Sequence, residues 1–332
     1  MKITEITDNK DKVLQLNVFP DVIKNRFDIL HPIIENSGGY MLYCVEDNVQ
    51  KTYIPVFFND TFCELGVYMR KIDKYLFEKF VDYLFKTHKK LQVINVLHTL
   101  TDIDTLPVAP HWHIDLPESI EEFDASLGKR TRKETKYKIG LIKRIIGEFV
   151  VSKYDLKHFD YDLVKLYLSW KHNSHNFLYK SAQNYIRDFH VTSMYVLKTA
   201  KDILAIEFIS ETNKEDVFAE NFSYNVNYRD YSVGIILYYH VIKDLIKNQK
   251  KRFYLLGGNY EYKKNYNGVC TMTRSGNIYR HPLLEKLCRM TAEKIKLSQI
   301  PCKKFIINVI RHLFISKYYK KRFKQIAWEG QR

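Results

Sequence analysis

One β-β-β-α-β pattern occurs twice in this chain, and that duplication limits the architecture more than any other feature. In residues 40–97, "YMLYCVE", "KTYIPVFF" and "TFCELGVYM" read as three short strands separated by the turn signals "DN" and "ND". "KYLFEKFVDYLFKTH" then sets Leu76, Phe77, Phe80, Tyr83 and Leu84 at helical spacing, and "LQVINVL" follows as a buried strand. Residues 193–256 repeat the order with "SMYVLKT", "ILAIEFIS", "VFAENFSYNV", a helix carrying Ile235, Tyr238, Tyr239, Ile242, Leu245 and Ile246 on one face, and "RFYLL". A helix between the last two strands of each copy makes those strands a parallel pair within a mixed sheet. The sequence therefore predicts an α/β (α+β) fold of two tandem modules, each a mixed twisted sheet flanked by helices.

The two copies differ where the chain turns into the helix. The first is entered through "MRKIDKYLF", without glycine, and the second through "YRDYSVGII". In a chain with only 12 glycines, Gly234 stands at this loop-to-helix junction, and Gly257 and Gly258 stand where the next strand runs out. Glycine lets backbone N–H groups approach a ligand closely, and a helix N-terminus adds about half a positive charge. The second module is thus the one expected to hold an anion. An ordinary N-cap by Ser232 is the other reading of "YSVG".

Charge points the same way without choosing a partner. The 332 residues carry a net charge of +15, which suits nucleotide, nucleic acid or lipid headgroup. Five scattered cysteines with no CxxC pair give neither a disulfide framework nor a zinc site, so no metal is expected and a reducing cytoplasm fits. The N-terminus "MKITEITDNKDK" is polar where a signal peptide needs an apolar core. Between the modules, "SIEEFDASLGKRTRKETKYKIGLIKRIIGEF" reads as a basic helix or helix pair, with Lys129, Arg130, Arg132, Lys133, Lys136 and Lys138 crowding its middle. A further helix, "DYDLVKLYLSWKHNSHNF", presents Leu163, Leu166, Tyr167 and Trp170 and ends in His172 and His175. From Lys294 to Trp328 there is no acidic residue, and Phe305, Ile306, Val309, Ile310, Leu313 and Phe314 form one helical stripe. That tail suits either an anionic membrane surface or docking on the protein's own core.

The run "FDASLGKRTRKETKYKIGLIKR", the helix ending "LSWKHNSHNF", then "YRDYSVGIILYYHVI" and "FYLLGGNYEYKKNY" resemble, in order and spacing, the BioF/CelD-like acetyltransferases of the GNAT superfamily, relatives of the Fem-type (FemABX) aminoacyltransferases. The resemblance covers residues 112–268. It departs at Val233, where the family's turn has proline, and in lacking the full pyrophosphate-loop pattern of ordinary GNAT enzymes. It implies a degenerate GNAT-like module at 1–117, a basic interdomain helix at 118–150, a GNAT module with the donor site at 151–290 and a basic amphipathic tail at 291–332.

The resemblance also implies roles. Backbone amides of Tyr231, Ser232, Val233, Gly234 and Ile235 would hold the pyrophosphate of acetyl-CoA or another acyl-CoA, with Gly257 and Gly258 splaying the sheet for the pantetheine arm. Lys263 matches the lysine linked to acyl transfer in Fem-type relatives, its alternative being a solvated "YKK" loop in which Lys264 is the surface residue. Tyr262 or Tyr260 would protonate the leaving thiolate. The base that takes the amine proton is Glu220, Glu207, His175 or His172, where Glu207 has a solvent-facing edge position as its other reading. Arg130, Arg132 and Lys133 would clamp phosphate on a nucleotide- or lipid-linked sugar acceptor. The expected activity is N-acyl transfer, acetyl in the first instance, from a CoA-type thioester to an amine, with an amino sugar for a surface polysaccharide as acceptor, in the cytoplasm or at the inner face of the membrane. Acyl carrier protein and aminoacyl-tRNA remain alternative donors, and a non-catalytic nucleic-acid-binding protein is the rival of another class.

Overall fold

The computed structural model describes residues 1–7, 40–59, 61–155, 158–175, 182, 183, 186, 191–211, 215–283, 285 and 286. They fall into two compact units. The first comprises residues 1–109 and the described residues from 272 onward, and the second comprises 110–271. The chain begins with β1 (Lys2–Ile6), β2 (Tyr40–Glu46), β3 (Lys51–Asn59), β4 (Phe62–Leu65), α1 (Lys74–Thr87) and β5 (Val93–Thr99). It continues through β6 (Val108–Asp115), α2 (Ile120–Ser126), α3 (Lys129–Ile145), β7 (Phe149–Asp155), α4 (Tyr161–His175), β8 (Ser193–Thr199), β9 (Ile203–Glu211) and β10 (Asp216–Tyr224). A 3-10 turn (Val226–Tyr231) leads into α5 (Val233–Lys247), β11 (Arg252–Leu256), the short α6 (Glu261–Asn265) and β12 (Val269–Tyr279).

The strands of the first unit lie in the order β1-β2-β3-β4-β5-β12. β4 and β5 run parallel, from Phe62 opposite Val93 to Leu65 opposite Val96, and the other pairs are antiparallel. The crossover between the parallel strands is α1, started by Asp73, whose carboxylate accepts the Leu76 N–H at 2.9 Å. Its inner face is Leu76, Phe77, Phe80, Val81 and Leu84, all buried against the sheet beside Tyr43, Ile54 and Ile94.

The second unit repeats this logic in the order β6-β11-β10-β9-β8-β7. β10 and β11 are the parallel pair, and α5 is their crossover. α5 buries Val233, Ile236, Leu237, Tyr238, Tyr239, Val241, Ile242, Leu245 and Ile246, so it is apolar nearly all round, as a helix inside a core must be. The opposite face of the sheet is covered by α4 through Val164 and Tyr167, with the Tyr167 ring edge-on to Phe208 at 4.6 Å. Both β-β-β-α-β runs thus form as the sequence predicts, one per unit.

Four strands lie outside that pattern. β1, β6, β7 and β12 belong to neither repeat, and β12 returns residues 272–279 to the first unit. α2 and α3 belong to the second unit, where Phe123, Leu127 and Ile142 join the core under α5. The Tyr239 hydroxyl donates to Asp124 at 2.7 Å, and Thr135 Oγ1 lies 2.9 Å from the Tyr266 hydroxyl. The tail beyond 286 lies outside the described residues.

Gly140 in the middle of α3 has no packing reason to be glycine, because a β-carbon there would meet nothing within 4 Å. Mid-helix glycine costs about 1 kcal/mol relative to alanine. Gly140→Ala should therefore raise the melting temperature by roughly 2–4 °C, read by calorimetry on the full chain. A fall in melting temperature would contradict this placement of the helix.

Candidate active site

The second unit opens along a line set by two β-bulges. β10 and β11 pair only from Asp216–Arg252 to Phe218–Tyr254. Immediately beyond, β10 shifts register against β9 between Ala219 and Asn221, which makes Glu220 the extra residue. β11 shifts against β6 between Tyr254 and Leu256, which makes Leu255 the extra residue there. A bulge bends its strand and increases its twist, so two neighbours that each bulge past their last shared pair diverge. Ala219 and residues 221–224 of β10 stay paired with β9 and leave their other edge to the gap.

The gap ends at the N-terminus of α5. Ser232 sits at φ 55°, ψ 37°, in the left-handed region, and its hydroxyl makes no capping bond. The first intrahelical donors are the amides of Ile235 and Ile236, both to the Ser232 carbonyl at 3.0 and 3.2 Å. The amides of Val233 and Gly234 come before them, at the positive end of the helix. A proline at 233 would disfavour the Ser232 conformation, so valine in place of the resembled family's proline is consistent with this turn. Gly234 packs closely as well. A β-carbon there would lie 2.7 Å from Cε2 of Phe222 on β10.

Beyond β11 the backbone curls. Leu256 and Gly258 have φ of 56° and 89°, and the Tyr260 ring lies where a Gly258 side chain would be. The "EYKKN" segment that follows is the short helix α6 rather than an extended loop. It separates its two lysines. Lys264 is exposed, whereas Lys263 is 1% exposed and its ammonium is directed at backbone carbonyls of residues 255–258 rather than at open space. Tyr262 is half-buried, stacked on Tyr260 at 5.9 Å and edge-on to Tyr238 at 5.2 Å.

Of the candidate bases, Glu220 sits on the β10 bulge beside the gap. Glu207 is on the interior strand β9, 3% exposed, on the face shared with Ala205 and Ile209 beneath α5. It is not at a solvent-facing edge, and burial pushes its carboxyl from the usual 4.5 up to about 8. The backbone at His172 and His175 ends α4, and their side chains lie outside the described residues. Arg130 and Lys133 come together with Lys129, Glu134 and Tyr137 along an open depression on the first turns of α3, which Arg132 does not line. Helix α3 has no acidic residue in its first turn and no side-chain cap at Gly128. The bulges and the cage around Lys263 were not visible in the sequence, because a bulge is fixed by register against a neighbouring strand.

Residues 179–264 match the family model described as an acetyltransferase (GNAT) domain. No curated protein sequence matches the chain. Among solved structures, FemX is similar at 10% identity with a TM-score of 0.50, over 86% of this chain and 99% of that one. The C-terminal domain (DUF2156) of a putative lysylphosphatidylglycerol synthetase from Agrobacterium fabrum is similar at 10% identity with a TM-score of 0.51, over 82% and 95% of the two chains. These likenesses concern the fold. The matched residues span β8–β11 and the α5 turn, and the match supports an acyltransferase.

Glu207 gives the second unit a pH signature. The folded chain retains a proton that the unfolded chain has lost between about pH 4.5 and about pH 8, so stability falls as pH rises through that window. Glu207→Gln should flatten the fall, matching wild type near the acid end and exceeding it near pH 8 in urea titrations. A difference between the two proteins that is constant over the window would contradict a buried, proton-retaining carboxyl.

Proposed function

We propose that the second unit moves an acyl group, acetyl in the first instance, from a coenzyme A thioester to an amine. The observation that carries this reading is the gap between β10 and β11 leading to the uncapped N-terminus of α5. A free strand edge offers backbone donors and acceptors to the amides of a pantetheine arm, and the helix terminus offers amides and positive potential to a pyrophosphate. The first unit has the same strand order but enters α1 through Asp73, whose carboxylate occupies that helix terminus. An anion is repelled there, so one donor site per chain is the reading this asymmetry supports.

In the transfer, the amine nitrogen bonds to the thioester carbon and the C–S bond breaks. Glu220 takes the amine proton and Tyr262 supplies one to the leaving thiolate. The acceptor carries phosphate, for which Arg130 and Lys133 on α3 are the contacts, with Lys129 and Tyr137 beside them. An amino sugar on a nucleotide or lipid carrier for a surface polysaccharide has that chemistry. A cytoplasmic enzyme at the inner face of the membrane, held there by the tail at 291–332, would meet such an acceptor. The basic face of α3, with exposed Tyr137 among its cations, also supports a second reading in which the acyl donor or the acceptor is a polynucleotide such as aminoacyl-tRNA.

A melting screen separates these readings. Acetyl-CoA at a hundredfold excess over its Kd should stabilise the chain by about 2.7 kcal/mol. Gly234→Phe, which fills the helix terminus and displaces Phe222, should abolish that stabilisation while melting cooperatively. Stabilisation by tRNA and indifference to CoA thioesters and acyl carrier protein would overturn the donor assignment in favour of the polynucleotide.

A further inference from the structure

Lys263 is among the largest fully buried side chains of the chain. Its Nζ donates to the carbonyl oxygens of Leu255 at 2.9 Å, Leu256 at 3.4 Å and Gly258 at 3.2 Å, and to that of Gly257. The Tyr260 ring closes one side, with its centroid 5.5 Å from the nitrogen. Four consecutive carbonyls therefore surround one compact cation. In a strand, successive carbonyls alternate in direction, so this convergence requires the curl made by Leu256 at φ 56° and Gly258 at φ 89°. A leucine in the left-handed region is strained, and carbonyl dipoles turned toward one another repel. The ammonium at their centre offsets both.

Backbone carbonyls ringed around a dehydrated monovalent cation are the chemistry by which proteins hold potassium. Because a trans peptide points its N–H opposite to its C=O, the amides of Gly257, Gly258 and Asn259 face away from the ammonium. They lie at the end of β11, the strand that borders the gap. We propose that Lys263 is a positioning residue, an internal monovalent cation that curls the end of β11 and so presents these amides to the acyl donor. The cage stands on the distances above, and only the identity of the ligand rests on the donor reading. A lysine with its donors engaged by carbonyls acts through the backbone rather than on the reacting atoms.

The test is replacement of the side chain by a free ion. Lys263→Ala leaves four carbonyl oxygens around a vacancy that potassium or ammonium ions fit. In choline chloride the variant should melt lower than wild type and bind acetyl-CoA roughly tenfold or more weakly. In potassium or ammonium chloride at equal ionic strength both properties should return, while wild type and Lys264→Ala ignore the choice of cation. Melting of Lys263→Ala that is blind to cation identity would overturn the cage. Loss of acetyl-CoA binding with unchanged melting would overturn the positioning role, since the ammonium would then touch the donor itself. If the variant does not fold in any of these salts, limited amine acetylation of the wild-type chain decides by mass spectrometry. Lys263 should stay unmodified while Lys264 reacts, and equal modification would overturn the proposal. Should wild type show no response to acetyl-CoA, the donor reading falls, and the cation dependence of melting still judges the cage.

Discussion

Three pairs, Asp216 with Arg252, Val217 with Phe253 and Phe218 with Tyr254, hold β10 to β11, and the second unit is organised around their being so few. A parallel pair cannot be closed by a hairpin, so the chain must cross over, and α5 is that crossover. Its burial under the sheet fixes where its N-terminus lies, next to the point at which the bulges at Glu220 and Leu255 let the strands part. An unpaired strand edge is a liability in a protein with no use for it. Here it lies within one step of an uncapped helix terminus, which is the combination an elongated thioester with a pyrophosphate needs.

Charge is arranged so that different cations have different tasks. Lys263 is enclosed by backbone oxygen, while Lys264, one residue on, is exposed with its ammonium 5.9 Å from the Trp112 ring. Along α3 the cations face outward at the helix's positive end, against the preference of the helix dipole. That is unfavourable for the helix alone and favourable once an anion is present. By contrast, Glu207 lies beneath α5, where burial alone pushes its carboxyl well above the usual carboxylate range.

Much of this was legible in the sequence. "YMLYCVE", "SMYVLKT" and "RFYLL" become strands with the expected ends, and both helices of the repeat form and bury most of the expected residues, with Val81 inward where Tyr83 was expected and Val233, Ile236, Leu237 and Val241 inward beside the expected set, which loses Ile235. Local periodicity sufficed because each of these segments is apolar enough to be placed by its own pattern. β12 was missed because "VCTMTRSGNIY" has no clear alternation and is held by pairing to β5, residues far away in the chain. Gly234 was read as a site of ligand approach, and its contact with Phe222 adds a packing reason that only the fold could supply. Lys263 was read from resemblance as a catalytic cation; the four main-chain carbonyls its ammonium meets could not be read, since no side-chain pattern encodes them.

In the proposed donor site, the gap beside β10 and the first turn of α5 act as one. Hydrogen–deuterium exchange of the full chain with and without acetyl-CoA tests it directly, since bound donor shields the amides it contacts. Slowed exchange is expected in residues 219–224 and 232–236, with β2–β5 unaffected. Unchanged exchange in both segments, with protection confined to α3, would contradict it.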